Sequence, residues 1–131
     1  MTITPLYAGL LALWFVVLSV RVVQRRQNGI TLGDGGDPRM LRLIRGQANF
    51  AEYVPLILLL MALLELGHTS SYLLHALGIT LLVARLLHGY ALSFTQQFRF
   101  GRFYGAGLTF LVLLVSAASC IWQGVHGFAS A

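Results

Sequence analysis

Four long apolar runs, separated by short polar breaks, make up nearly the whole chain. The first runs from Thr4 to Val20 and ends on Arg21, Arg25 and Arg26, which predicts a helix over about 3–26. The next segment, QNGITLGDGGDP from Gln27 to Pro38, is rich in glycine and aspartate and reads as a loop. The second run starts polar and ends apolar, and it predicts one long helix over about 38–66. Pro55 lies inside it. In a soluble helix interior that proline would cost about 3 kcal/mol, whereas membrane helices tolerate it because neighbours re-satisfy the freed carbonyl. A kink is expected near Tyr53–Pro55. Gly67 to Ser71 reads as a tight turn, followed by a third helix over about 71–95 and the short loop QQFRFG. A fourth helix is predicted over about 102–123, with a frayed tail after it. Its Gly105, Ala106, Gly107, Ser116, Ala117 and Ala118 suit close helix contacts.

A spanning helix takes about 20 residues, so the pattern predicts an all-α integral membrane protein whose residues 1–131 form a single four-transmembrane-helix bundle. Composition agrees. The chain is 57% apolar and 10% charged, against about 45–50% and about 25% for soluble domains. That balance excludes a soluble, a disordered and a disulfide-stapled protein. The net charge is +5, and every basic residue is arginine. Because these arginines interrupt apolar helices, nucleic acid is not an expected partner; membrane lipid and small acidic ligands are. Arginines crowd the first loop and its flanks and recur at the third loop, but are absent from the second loop and both termini. The positive-inside rule then places loops one and three in the cytoplasm and both termini on the opposite side. No basic residue precedes the first run, so no cleavable signal is expected. A single cysteine, Cys120, rules out an intrachain disulfide, and four scattered histidines make no metal site.

The second helix carries the chemistry. Arg42, Arg45, Asn49 and Glu52 recur at spacings of 3, 4 and 3. At 100° per residue they fall within about 80° of one another, on one face. Tyr53 extends that face, and Leu56, Leu60 and Leu63 continue it as an apolar column. A purely structural account has these ions satisfy each other, or has Arg42 and Arg45 meet lipid phosphate. It suits Arg42 better than Glu52, since an acid at this depth is costly without a cavity or partner. The functional account is a site for a small zwitterion. Arginines take carboxylates bidentately, Glu52 takes an ammonium, and Asn49 meets an amide. Arg85 and His88 form a second pair on the third helix. Arg85 is deep enough to need a partner, with Glu52 or Glu65 expected to supply it. Trp14, Trp122, Tyr90 and Tyr104 read as interfacial aromatics, and Glu65 as an interfacial acid.

The run Arg42-x-x-Arg45-Gly-Gln-x-Asn49-x-x-Glu52-Tyr53-x-Pro55 resembles the helix-two signature of the MAPEG superfamily, the membrane-associated proteins in eicosanoid and glutathione metabolism. The stretch RGQANFAEYVPLILLLMALLEL looks most like the small bacterial, microsomal glutathione transferase-like branch. The resemblance covers nearly the whole chain. It implies a homotrimer in a bacterial inner membrane, with glutathione bound between protomers as co-substrate and no metal. The family's glutathione contacts carry over to Arg45, Asn49, Glu52 and Tyr53, with Arg42 and Gln47 at flanking positions of the motif. Arg85-x-x-His88 resembles the Arg-x-x-His of prostaglandin E synthase. An arginine at the end of helix one, Arg25 or Arg26, would reach the neighbouring protomer's site. The thiol-activating arginine matches Arg102, with Arg99 as the alternative. One departure stands out: Leu92 occupies a position where some family enzymes have tyrosine.

The activity implied is thiolate attack on a small lipophilic electrophile or a hydroperoxide, as a glutathione transferase or peroxidase. Two other readings remain open. One is a non-catalytic lipid- or glutathione-binding scaffold of the same fold. The other is a small transporter, which a polar column restricted to one half of the helix disfavours.

Overall fold

A computed structural model describes residues 1–129. It contains four helices: α1 (Ile3–Arg26), α2 (Pro38–Leu66), α3 (Ser71–Ser93) and α4 (Arg99–Ala129). Each is long and apolar enough to cross a membrane. The 24 residues of α1 extend about 36 Å at 1.5 Å per residue, enough for a hydrocarbon core about 30 Å thick. The 29 residues of α2 reach about 44 Å, so its polar first turns extend past that core.

Two helix ends differ from the sequence expectation. The third helix stops at Ser93, because Thr95 turns its hydroxyl back onto the Ala91 carbonyl at 2.8 Å and accepts from the Phe98 N–H at 3.3 Å. The fourth begins at Arg99 rather than Arg102, and it continues to Ala129 rather than stopping at Gln123. The helix continues through a tail expected to fray; Ser130 and Ala131 lie outside the described residues.

Helices α2 and α3 form the centre, each touching the other three; α1 and α4 flank them and do not meet among the described residues. The buried stripe of α1 is Tyr7, Leu11, Leu18 and Val22, at steps of 4, 7 and 4, which return to one helix face. That of α2 runs Met40, Leu43, Gly46, Phe50, Val54, Ile57, Met61 and Leu64. The helix is continuous across Pro55, which lies on the exposed side. Leu56 and Leu63, the column under the polar stripe, are about half exposed on the outside of the bundle.

Close approach of α3 and α4 depends on Gly105. A Cβ there would lie 2.7 Å from His88 Cβ and 2.8 Å from the Ala84 carbonyl oxygen. Of the small residues expected at helix contacts, Gly105 and Ser116 are buried, while Gly107 and Ala118 are exposed.

The loop between α1 and α2 is shaped by glycine and aspartate. Gly29, Gly33, Gly35 and Gly36 all have positive φ, which a side chain would oppose. Asp34 accepts from the Gly36 N–H at 3.0 Å, and Asp37 caps α2 by accepting from the Arg39 N–H at 2.9 Å. Pro38 takes the first helical position, where no N–H is needed.

The termini of the helices alternate between two ends of the bundle. One end gathers the α1–α2 and α3–α4 loops and most of the arginines. The other holds the start of α1 and the α2–α3 turn. There Glu65 accepts the backbone N–H groups of Thr2, Ile3 and Thr4, the latter two at 2.8 Å. An acid read as interfacial from sequence is therefore the N-terminal cap of another helix.

Candidate functional site at the arginine end

Arg85 anchors the site. It is 1% exposed, the largest of the fully buried side chains, and lies on the inner face of α3. No carboxylate meets it, contrary to the expectation of Glu52 or Glu65. Its Nη1 donates to Asn49 Oδ1 at 2.8 Å and its Nη2 reaches the Gly105 carbonyl at 3.4 Å. The Arg85 backbone carbonyl accepts from Trp14 Nε1 at 3.0 Å. Trp14 is thus a partly buried strut between α1 and α3, not the interfacial aromatic its type suggested. Glu52 is absent from this network because it lies on the outer face of α2, and Glu65 because it lies at the far end.

Asn49 therefore links the polar stripe of α2 to the centre of the bundle. Arg45 and Glu52 of that stripe face outward. Arg45 Nη1 stands 4.0 Å from Glu52 Oε1, with both side chains more than half exposed, so this pair is open to a ligand rather than sealed. Tyr53 is half-buried and packs edge-to-face on Phe110 of α4, with ring centroids 5.4 Å apart. Gln47 points the other way, donating from Nε2 to Ser19 Oγ of α1 at 2.9 Å.

A groove of about 520 Å³ opens beside Asn49. Its polar wall is Asn49, His88, Arg99 and Arg102; its apolar wall is Phe103, Ala106 and Phe110. Both thiol-activating candidates therefore face one space. Starting α4 at Arg99 places the pair one turn apart on the same side. Neither has a carboxylate partner among the described residues, and the positive end of the α4 dipole adds to their field. A second groove of about 460 Å³ joins the same two arginines to Arg42, with Leu92 in its wall.

The two helix-one candidates are occupied within the chain itself. Arg25 forms an ion pair with Asp37 at 2.6 Å, and Arg26 Nη1 makes a longer contact with the Gly33 carbonyl at 3.3 Å. Partial burial raises the Asp37 pKa, but the Arg25 guanidinium and the N–H groups of Arg39 and Met40 outweigh it and hold the carboxyl below its ordinary value. Arg21 was counted in the charge pattern only as a flanking residue. Yet it donates from Nη2 to the Ser93 carbonyl at 2.7 Å and stacks 4.2 Å from the centroid of the Phe94 ring. Its signal in the sequence was its place one helical turn before Arg25, at the level of the other arginines.

Four membrane-length helices around a buried arginine, with an exposed polar stripe and an arginine-walled groove at one end, define an integral membrane protein with an arginine-rich cleft at one end of its bundle. Residues 4–122 match the model of the MAPEG family, and the chain belongs to that family. It is 34% identical over 121 residues to the inner membrane protein YecN of Escherichia coli strain K12, covering 92% of this chain and 91% of YecN. The YecN protein of Escherichia coli O6:H1 strain CFT073 matches over the same length at the same identity. No solved structure matches significantly.

Proposed function

We propose that the protein binds glutathione as a thiolate and uses it against apolar electrophiles or hydroperoxides drawn from the bilayer. The observation that carries this reading is the groove in which Asn49, His88, Arg99 and Arg102 face an apolar wall on α4. Such a groove can hold an anionic sulfur beside a lipophilic acceptor. A homotrimer in the inner membrane, with the arginine end toward the cytoplasm, would supply the thiol from that side and the acceptor laterally.

The electrostatics suffice. A free cysteine thiol titrates near 8.5, so only a few per cent is thiolate at neutral pH. Lowering that value by one unit takes about 1.4 kcal/mol. A charge pair at about 4 Å is worth about 4 kcal/mol at an effective dielectric near 20, before desolvation. One arginine, Arg102 or Arg99, is enough. Arg45 and Arg42 would take the peptide's carboxylates, Glu52 its ammonium, and Asn49 and Tyr53 its amide groups. Arg26, with its single longer contact, is better placed than the ion-paired Arg25 to reach a neighbouring protomer.

In transfer, the thiolate lone pair forms a carbon–sulfur bond while the leaving group departs with its bonding electrons. On a hydroperoxide, sulfur takes the outer oxygen and the O–O bond breaks. The departing alkoxide picks up a proton. The glutathione sulfenic acid then condenses with a second glutathione, giving the disulfide and water. No metal enters either route.

Leu92 favours a second reading, a non-catalytic binding scaffold. It supplies no hydroxyl where some family enzymes have tyrosine, and it is 7% exposed in the wall of the Arg42 groove. Ultraviolet difference absorbance of the thiolate, recorded with purified protein and glutathione at neutral pH, separates the two. A saturable signal that falls at least tenfold in only one of Arg102→Ala and Arg99→Ala supports the enzyme and identifies the activating residue. Saturable binding without a thiolate signal supports the scaffold. Absence of glutathione binding would remove the enzyme and the glutathione-binding scaffold, leaving only a lipid-binding one.

A further inference from the structure

A separate cavity of about 250 Å³ lies where the ends of α1 and α3 meet the first turns of α2. Arg21, Arg39 and Arg42 line it together with Ser93, Phe94 and Gln96. Three guanidinium groups from two helices thus face one small space, and none of its lining residues is acidic. The chain's four carboxylates are placed elsewhere. Asp37 holds Arg25, Glu52 faces Arg45, Glu65 caps α1 at the far end, and Asp34 accepts within its own turn.

One donor is held in place, and some are unanswered. Arg21 is held by the Ser93 carbonyl and by the Phe94 ring, so its fork cannot swing freely into solvent. Its Nε and that of Arg42 are buried without a hydrogen-bond partner. Ser93 is 5% exposed and its Oγ has no partner either, although it lies against α2 at Gly46. Mutual repulsion of three cations in one cavity is unfavourable unless an anion joins them.

We propose that this cavity is a binding site for a tetrahedral oxyanion, a phosphate group, distinct from the thiol groove. A carboxylate presents two oxygens in one plane. A phosphate presents three or four in different directions, which suits arginines arriving from α1 and α2 beside a serine hydroxyl. The phosphate could come from an anionic lipid headgroup or from a soluble compound. Arg42, Leu92 and Gln96 border both this cavity and the Arg99–Arg102 groove, so an anion here would compete for the Arg42 that the glutathione reading also uses.

The test uses the full-length protein in detergent, with inorganic phosphate as the probe and the thermal unfolding midpoint and phosphorus NMR line width as readouts. A saturable response is expected, with the apparent Kd raised at least tenfold in Arg21→Gln and severalfold in Ser93→Ala. Should Arg21→Gln fail to fold, Arg21→Lys keeps the charge but loses the fork and is expected to weaken binding as well. Native mass spectrometry from phosphatidylglycerol nanodiscs distinguishes the sources. Phospholipid retained by the wild type and lost from Arg21→Lys assigns a headgroup; phosphate binding without retained lipid assigns a soluble ligand. Absence of both responses, or equal responses in wild type, Arg21→Lys and Ser93→Ala, overturns the proposal. Because glutathione thiolate is read separately in the same samples, failure here leaves the thiol reading standing, and the converse also holds.

Discussion

The two ends of the bundle handle charge in opposite ways. At the far end a single carboxylate, Glu65, is consumed by the protein itself, spanning the backbone N–H groups of Thr2, Ile3 and Thr4. At the other end arginines outnumber acids, and only Arg25 and Arg45 have a carboxylate within ion-pair distance among the described residues. A charge answered by backbone holds helices in place. A surplus beside a groove is open to an external anion. The contrast points the search for function to the arginine end.

Arg85 is the exception at the functional end, because it is both structural and adjacent to the groove. Its replacement of an acid by Asn49 as partner sharpens the contrast and yields the largest expected effect. Asn49→Leu removes the acceptor but leaves the buried guanidinium, so the cost is that of an uncompensated buried charge, about 3–5 kcal/mol. Unfolding in a detergent titration should reveal it. Arg45→Ala breaks only the exposed pair with Glu52 and should change the same midpoint by less than about 0.5 kcal/mol. Equal costs for the two would mean that the inner and outer faces of the stripe do not differ as described.

Much of this was legible in the sequence, for definable reasons. Long apolar runs separated by short polar breaks set the number of helices, because hydrocarbon thickness sets helix length. The spacing of Arg45, Asn49 and Glu52 put them on one surface of α2, since helical periodicity is local. Partnerships were less accessible. Asn49 pairs with Arg85 across 36 positions, and Glu65 with Thr4 across 61. Opposite charge suggested that Arg85 would find an acid, yet the acids are on the wrong face or at the wrong end. Arg21 escaped notice as a site residue because its significance comes from Ser93 and Phe94, which only the packing of α1 on α3 brings near. The start of α4 depended on the Thr95 hydroxyl tightening the preceding turn, a contact that composition does not show.

At the far end, Glu65→Gln tests whether the cap works by charge or by shape. Glutamine keeps one acceptor oxygen but loses the negative charge facing the positive end of the α1 dipole. Charge-assisted bonds are stronger than neutral ones, and an anion at a helix N-terminus is favourable. A fall in the unfolding midpoint is expected, with exchange of the Ile3 and Thr4 amide protons accelerated at the start of α1 and unchanged at the arginine end. Uniform acceleration through all four helices would deny that Glu65 acts locally.

The smallest effect belongs to Asp37, the one acid at the arginine end that is tied to an arginine and a helix cap at once. Its pKa is lowered in the folded protein, so its stabilisation is fully present above the unfolded carboxylate value, about 3.9, and is lost as pH falls through the lower folded value. Acid titration should therefore release Arg25 from Asp37 and fray the first turn of α2, while the Arg85–Asn49 bond stays in place. Asp37→Asn retains a capping oxygen for the Arg39 N–H but has no proton to gain. It should lower stability slightly at neutral pH and remove that part of the acid dependence, as read by amide exchange at Arg39 and Met40. A first turn of α2 that loosens with acid equally in Asp37→Asn and wild type would assign the effect to another group. The loop would then owe its order to its glycines and to Asp34 rather than to the Arg25–Asp37 pair.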